Sequence, residues 1–248
     1  MTEEPYRWVE AIQNRREYIH EQLAAGSPIV ALICADGVLM VTVSYGQKKL
    51  FEVYDRIALG AIGHPGDIER LRMSAIEVAS AEGFNRSACD VSLRRMAAYS
   101  LSPALKTAFE QIYGSPFLAR LLFVELGHHD EPDLLLQLDY DGAFQVNSSA
   151  IGDRPEPFAA ISGRESSAHA MERFLHDRAN AEMSQAEALE LALEAWTVGK
   201  IVLSDEDGAD LPDAEAIASQ RKAELERGAL EAVILERKAS GNSTFRHL

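Results

Sequence analysis

Two apolar runs, Ile29-Val30-Ala31-Leu32-Ile33-Cys34 and Val38-Leu39-Met40-Val41-Thr42, stand on either side of an Asp36-Gly37 pair. β-rich runs split by Asp-Gly predict a hairpin. After a polar loop at residues 44–47, residues 48–56 and 57–63 form two more short runs, joined by a polar turn at Tyr54-Asp55-Arg56. These four strands are apolar on both faces, so the pattern predicts a sheet covered on both sides. The stretch before them, residues 5–25, has helical spacing. Val9, Ile12, Ile19 and Leu23 share one face, interrupted by Arg16, with Pro5 suited to the start and Gly26 to the end.

Helical spacing returns after the breaker cluster His64-Pro65-Gly66-Asp67. Ile68, Leu71, Ala75, Val78 and Ala79 predict a helix ending at Gly83. A second helix is predicted over residues 90–112, with Leu93, Ala97, Leu101, Leu105, Phe109 and Ile112 on one face. Pro103 interrupts it and should kink it. Strands resume at residues 118–126. Residues 134–139 and 143–146 flank Tyr140-Asp141-Gly142, a second Asp-Gly hairpin. Residues 150–152 and 158–163 read as short strand or pre-helix segments.

A third helix covers residues 166–180. Ser184-Gln185-Ala186-Glu187 forms a capping box that opens a fourth, reaching residue 198 and burying Leu189, Ala192, Leu193 and Trp196. An acidic loop at residues 204–212 precedes a helical, strongly charged stretch at 213–227. Residues 230–236 form a last strand, and residues 238–248 read as a polar, mobile tail. The order is strands, two helices, strands, two helices, strand. Two sheets between two helix layers satisfy it, because each helix pair covers one outer sheet face.

Composition narrows the function classes. The chain has 248 residues, suited to one large α/β domain or two small ones. With 24 basic and 39 acidic residues its net charge is −15, which argues against nucleic-acid and anionic-membrane partners. No apolar run approaches the ~18 residues of a membrane span. The acidic start, residues 1–5, does not resemble a signal peptide, so a cytoplasmic protein is expected. The two cysteines, Cys34 and Cys89, allow one disulfide, but buried free thiols in a reducing compartment are expected. His128 and His129 lie in an acidic loop. Adjacent side chains there point apart and no zinc spacing exists, so no metal or other cofactor is expected.

Several of these segments resemble the proteasome subunit family. The likeness rests on Gly26-Ser27, Ala35-Asp36-Gly37-Val38-Leu39, Lys49, and Val53-Tyr54-Asp55-Arg56 followed by residues 57–63. Further out it rests on Pro5-Tyr6, the Arg/Glu-rich residues 14–18, the Tyr140-Asp141-Gly142 turn and the closing strand. It spans residues 5–236. It implies an α+β fold, the four-layer αββα sandwich of the N-terminal nucleophile hydrolase type. Residues 1–248 would then be a single domain, with residues 1–25 as N-terminal tail and helix, 204–227 as a charged insert and 238–248 as the tail.

Members of this family come in a catalytic β kind and a non-catalytic α kind. In the β kind, cleavage after a glycine frees an N-terminal nucleophile whose α-amine acts as base. Here Ser27 and Lys49 occupy the nucleophile and lysine positions, which gives a rival reading as a serine hydrolase cleaved at Gly26. Val43 stands at the position of the partner Asp, however, and Pro28 holds Ser27 extended. With the segment before it retained, residue 27 has no free α-amine.

The α kind is therefore expected. The resemblance then implies a homo-oligomeric ring, a heptamer, that caps a ring of β subunits. It implies an activator-docking pocket at Lys49, with Gly26 and His64 near it, receiving the C-terminal carboxylate of an ATPase unfoldase. It also implies a pore-gating tail made of Met1, Thr2, Glu3, Glu4 and Pro5. A stand-alone ring without a β partner is the other alternative. Read without the resemblance, Lys49 is a solvated strand-start lysine and His64 a polar cap residue.

Overall fold

The structure, a computed structural model, describes residues 4–111, 113–128, 131–148, 156–204, 211–238 and 243–248. Helix α1 (Glu4–Leu23) leads into β1 (Ile29–Cys34), β2 (Gly37–Ser44), β3 (Leu50–Tyr54) and β4 (Ile57–Gly63). Helices α2 (Pro65–Asn85), α3 (Leu93–Met96) and α4 (Ser102–Glu110) follow. Next come β5 (Ala119–Glu125), β6 (Leu134–Leu138), β7 (Phe144–Asn147) and β8 (Phe158–Ile161). Helices α5 (Glu165–His176), α6 (Gln185–Ser204) and α7 (Ala214–Arg227) precede β9 (Ala229–Glu236) and β10 (Phe245–His247).

The described strands form two five-stranded antiparallel sheets, ordered β10-β9-β2-β1-β8 and β3-β4-β5-β6-β7. Alternation along each strand builds the layers. On β1, Val30, Leu32 and Cys34 face Met171, Phe174 and Trp196 of α5 and α6. The intervening Ile29, Ala31 and Ile33 face the other sheet, meeting Ala58, Ile62, Leu122 and Val124. The outer face of the second sheet, including Leu59, Leu121 and Phe123, is covered by α2, α3 and α4 through Leu71, Ala75, Leu93 and Leu105. This is the αββα sandwich the element order requires. A strand in the middle of it has no wet face, which is why its sequence is a continuous apolar run.

Helix α1 crosses one end of the sandwich. Ile19 and Leu23 pack against Phe109 and Tyr140, with Ile12 partly buried beside them. Arg16, which breaks the apolar face in sequence, sits over the Phe109 ring at 5.7 Å and pairs with Asp141 at 3.5 Å. Val9 does not join that face; it, Trp8 and Tyr18 stay exposed.

Several local expectations are corrected. The β1–β2 turn is Ala35-Asp36, one residue earlier than an Asp-Gly turn, because Cys34 pairs with Gly37. Gly37 has φ +150°, and a Cβ there would meet the Leu235 carbonyl oxygen at 1.9 Å, so close packing of β9 rather than the turn itself demands glycine. Pro103 does not interrupt one long helix. A π-helical turn at residues 97–101 shifts the hydrogen-bond register, so that the Ser102 N–H bonds to the Ala97 carbonyl. Pro103 then stands in the first turn of α4, where a missing N–H is tolerated.

Helix α2 continues past Gly83 to Asn85, α5 stops at His176, and α6 extends to Ser204. The tail is not wholly free, because its Phe245–His247 segment pairs with β9. Cys34 and Cys89 are both free thiols, but Cys89 is exposed. Ala150, Ile151, Gly152 and His129 lie outside the described residues.

Candidate functional site: a lysine pocket between the sheets

Residues 26–28 are pinned from every side. The Gly26 N–H donates to the Leu23 carbonyl at 2.7 Å, closing α1, and its own carbonyl accepts from the Gly163 N–H at 3.0 Å. The buried Ser27 hydroxyl donates to the Val43 carbonyl at 3.1 Å. The Pro28 carbonyl accepts from the Thr42 hydroxyl at 2.6 Å and from the Trp196 indole N–H at 2.9 Å. These bonds fix the entry to β1 against both its neighbouring strand and the helix layer.

Lys49 sits just before β3, at the seam of the two sheets. Its N–H and that of Leu50 both donate to the Glu231 carboxylate on β9, at 2.9 and 3.2 Å. The Lys49 ammonium donates to the Ser27 carbonyl oxygen at 3.4 Å. Burial lowers its pKa to about 8; Glu231 acts to raise it, and Lys200 acts to lower it further. The side chain opens into a cavity of about 490 Å³ whose walls include Gly26, Ser27, Tyr45, Ile62, Ile68 and Lys200.

Of the residues expected together, the structure brings Gly26, Ser27 and Lys49 to one cavity. His64 stands between two wall residues, Gly63 and Pro65, but is not itself in the wall. Its carbonyl accepts from the Asp67 and Ile68 N–H groups, both at 3.0 Å, so it precedes α2 as an N-cap, and its exposed ring lies against Gly66. Ser27 and Lys49 are adjacent through the Ser27 carbonyl. Lys49 addresses the carbonyl of Ser27, not its hydroxyl, which is committed to Val43. Of the expected gating tail, Met1, Thr2 and Glu3 lie outside the described residues, while Glu4 and Pro5 are already the first residues of α1. Among the described residues no group of three or more His, Cys, Asp or Glu side chains is placed to hold a metal. None of the described helices is long and apolar enough to cross a membrane.

Sequence reasoning missed Glu231, Lys200 and Tyr45. Glu231 reads as an ordinary residue of the closing strand, and Lys200 as a charge just past the expected end of a helix at residue 198. Only the fold brings residues 45, 49, 200 and 231 to one place. One hint was available, a carboxylate standing within an otherwise apolar strand.

A family model described as "Proteasome subunit" matches residues 23–200. The proteasome subunit alpha of Kineococcus radiotolerans is 30% identical over 193 residues, covering 74% of this chain and 73% of that one. That of Streptomyces griseus is 28% identical over 243 residues, 96% of this chain and 78% of that one. That of Streptomyces coelicolor is 31% identical over 190 residues, 75% and 69%. With a sandwich of two five-stranded sheets between helix layers, and a family match over most of its length, the chain belongs to the proteasome subunit family, as an α-type member.

Proposed function

We propose that this chain is a non-catalytic subunit of the outer ring of a proteasome core particle in the cytoplasm. Seven copies form the ring. The ring restricts substrate entry and docks the C-terminal carboxylates of an ATPase activator at Lys49, while β subunits carry out proteolysis. The observation that supports docking is the state of Lys49. It is a half-buried ammonium in an open cavity, and among the described residues its one polar contact is a carbonyl oxygen. The nearby acid Glu231 is turned onto two backbone N–H groups instead. An incoming carboxylate supplies a direct ion pair; Glu231 acts on this ammonium without making one. Exposed Trp8, Val9 and Tyr18 on α1 are apolar surface of the kind that neighbouring copies cover.

Intact mass under denaturing and native conditions tests the reading, with and without a β subunit. The expected result is a chain that keeps residues 1–26, a native mass seven times the monomer, and peptidase activity only after mixing with β subunits. A chain beginning at Ser27 and active alone makes it a hydrolase. A stable ring that never joins β subunits makes it a stand-alone scaffold.

A further inference from the structure

The pocket holds a second cation that the docking reading does not use. Lys200 projects from α6 into the same cavity as Lys49. Its ammonium lies 5.2 Å from the centre of the Tyr45 ring, a cation–π contact that holds it over the cavity wall. Tyr45 is in turn held by its hydroxyl hydrogen bond to Glu224. Among the described residues Lys200 has no ion-pair partner. The acids nearby are committed elsewhere. Glu231 accepts from the Lys49 and Leu50 N–H groups, and Glu69 is held by two hydrogen bonds from Arg72, at 2.7 and 2.8 Å.

Two ammonium groups in one cavity repel each other, and that repulsion is one reason Lys49 is held below the ordinary lysine range. Glu69, in the same wall, is engaged by Arg72, and Glu231 acts on Lys49 without touching its ammonium, so neither acid forms an ion pair with Lys49 or Lys200. An anion entering between the two lysines relieves the repulsion and gains charge-assisted hydrogen bonds to both. The rest of the wall carries the apolar Phe51, Ile62 and Ile68 and the polar Gln47, Lys48 and Glu69.

We propose that Lys200 is a second ligand of the docking site, and that Lys49 and Lys200 share the two oxygens of one peptide C-terminal carboxylate carried by an apolar last residue. This rests on the docking reading above and adds a residue from a different element to it. A carboxylate has two oxygens and about four lone-pair sites, so it can serve both ammonium groups.

The test is fluorescence anisotropy of a fluorescein-labelled peptide, Ser-Gly-Ser-Gly-Ala-Leu, as free acid and as C-terminal amide, titrated with the full chain. The free acid is expected to bind the wild type and the amide to bind at least tenfold more weakly. Lys200→Gln is expected to weaken the free acid about tenfold and flatten its salt dependence, while Lys200→Arg keeps it within about twofold of wild type. Native mass and circular dichroism check that each variant assembles and folds. If Lys49→Ala weakens binding and Lys200→Gln does not, this inference is overturned and the Lys49 docking reading survives. If free acid and amide bind the wild type alike, both are overturned.

Discussion

At the scale of single residues, burial brings the titration of Glu125 and Lys49 towards neutral pH. Glu125, on β5, is 5% exposed, and one of its oxygens accepts from the Leu93 N–H at the start of α3. Burial raises its pKa to about 7; Arg56 and Arg95 oppose the rise and Glu131 adds to it. A carboxyl whose folded pKa lies above its unfolded value gives its full stability below the unfolded value, near 4.5, and loses it as pH rises through about 7. Wild type should therefore lose ~2 kcal/mol of stability between pH 5.5 and 8.5 through this group, whereas Glu125→Gln, which still accepts from Leu93, should lose none of it. Urea unfolding at the two pH values checks this; parallel losses in both proteins count against it. Lys49 has the opposite sign. Its folded pKa is lowered to about 8, so its charge is lost as pH rises through that value. The groups around it are Lys48, Glu69, Lys200 and Tyr45 in the cavity wall, with Glu231 behind its backbone. Binding of a carboxylate-ended peptide should accordingly weaken several-fold between pH 7 and 9, and anisotropy titrations across that range should show a midpoint near 8.

At the scale of elements, the start of α6 shows local chemistry and tertiary contact agreeing. The Ser184 N–H donates to the Glu187 carboxylate at 2.9 Å, and the Glu187 N–H donates back to the Ser184 hydroxyl at 3.4 Å. The next free amide, that of Gln185, donates to Asp36 in the β1–β2 turn at 3.0 Å. Ser184→Ala should lower stability by ~1 kcal/mol without changing peptide binding. A drop in thermal midpoint of a few degrees with an unchanged anisotropy curve is the expected result. This cap was legible because Ser-x-x-Glu before an apolar run is a purely local signal. The hairpins and the doubly covered strands were legible for the same reason. The π-helical turn was not: a proline at helical spacing announces a disturbed helix, but not which carbonyls change partners upstream of it. Strand β10 was missed because Phe245-Arg246-His247 carries no β-branched run and is stabilised by the edge of β9. The pocket was half legible. Lys49 follows a polar loop and opens a strand, and Gly26 ends a helix, so both stand at visible boundaries. Lys200 reaches the cavity, and Glu231 the Lys49 backbone, only because α6 and β9 pack beside β2, which no spacing in the sequence encodes.

At the scale of the whole molecule the dominant fact is the net charge of −15. Copies of such a chain repel one another, so ring closure brings like charges together and must be carried by short-range contacts such as those available to the exposed apolar residues of α1. Salt screens the repulsion over a Debye length of roughly 10 Å at 0.1 M and leaves apolar contact intact. The pocket proposed for docking should respond in the opposite way. It is a small cationic site on an acidic molecule, and the attraction proposed for a carboxylate is itself screened by salt. Raising salt from about 20 to about 300 mM should therefore increase the fraction of chain found in rings while weakening peptide binding per site. Sedimentation velocity and anisotropy, run on the same samples, measure the two quantities independently. If both fall with salt, ring closure depends on intersubunit ion pairs rather than on apolar surface. If neither moves, the pocket holds its ligand by shape, and the two lysines serve the fold instead of the ligand.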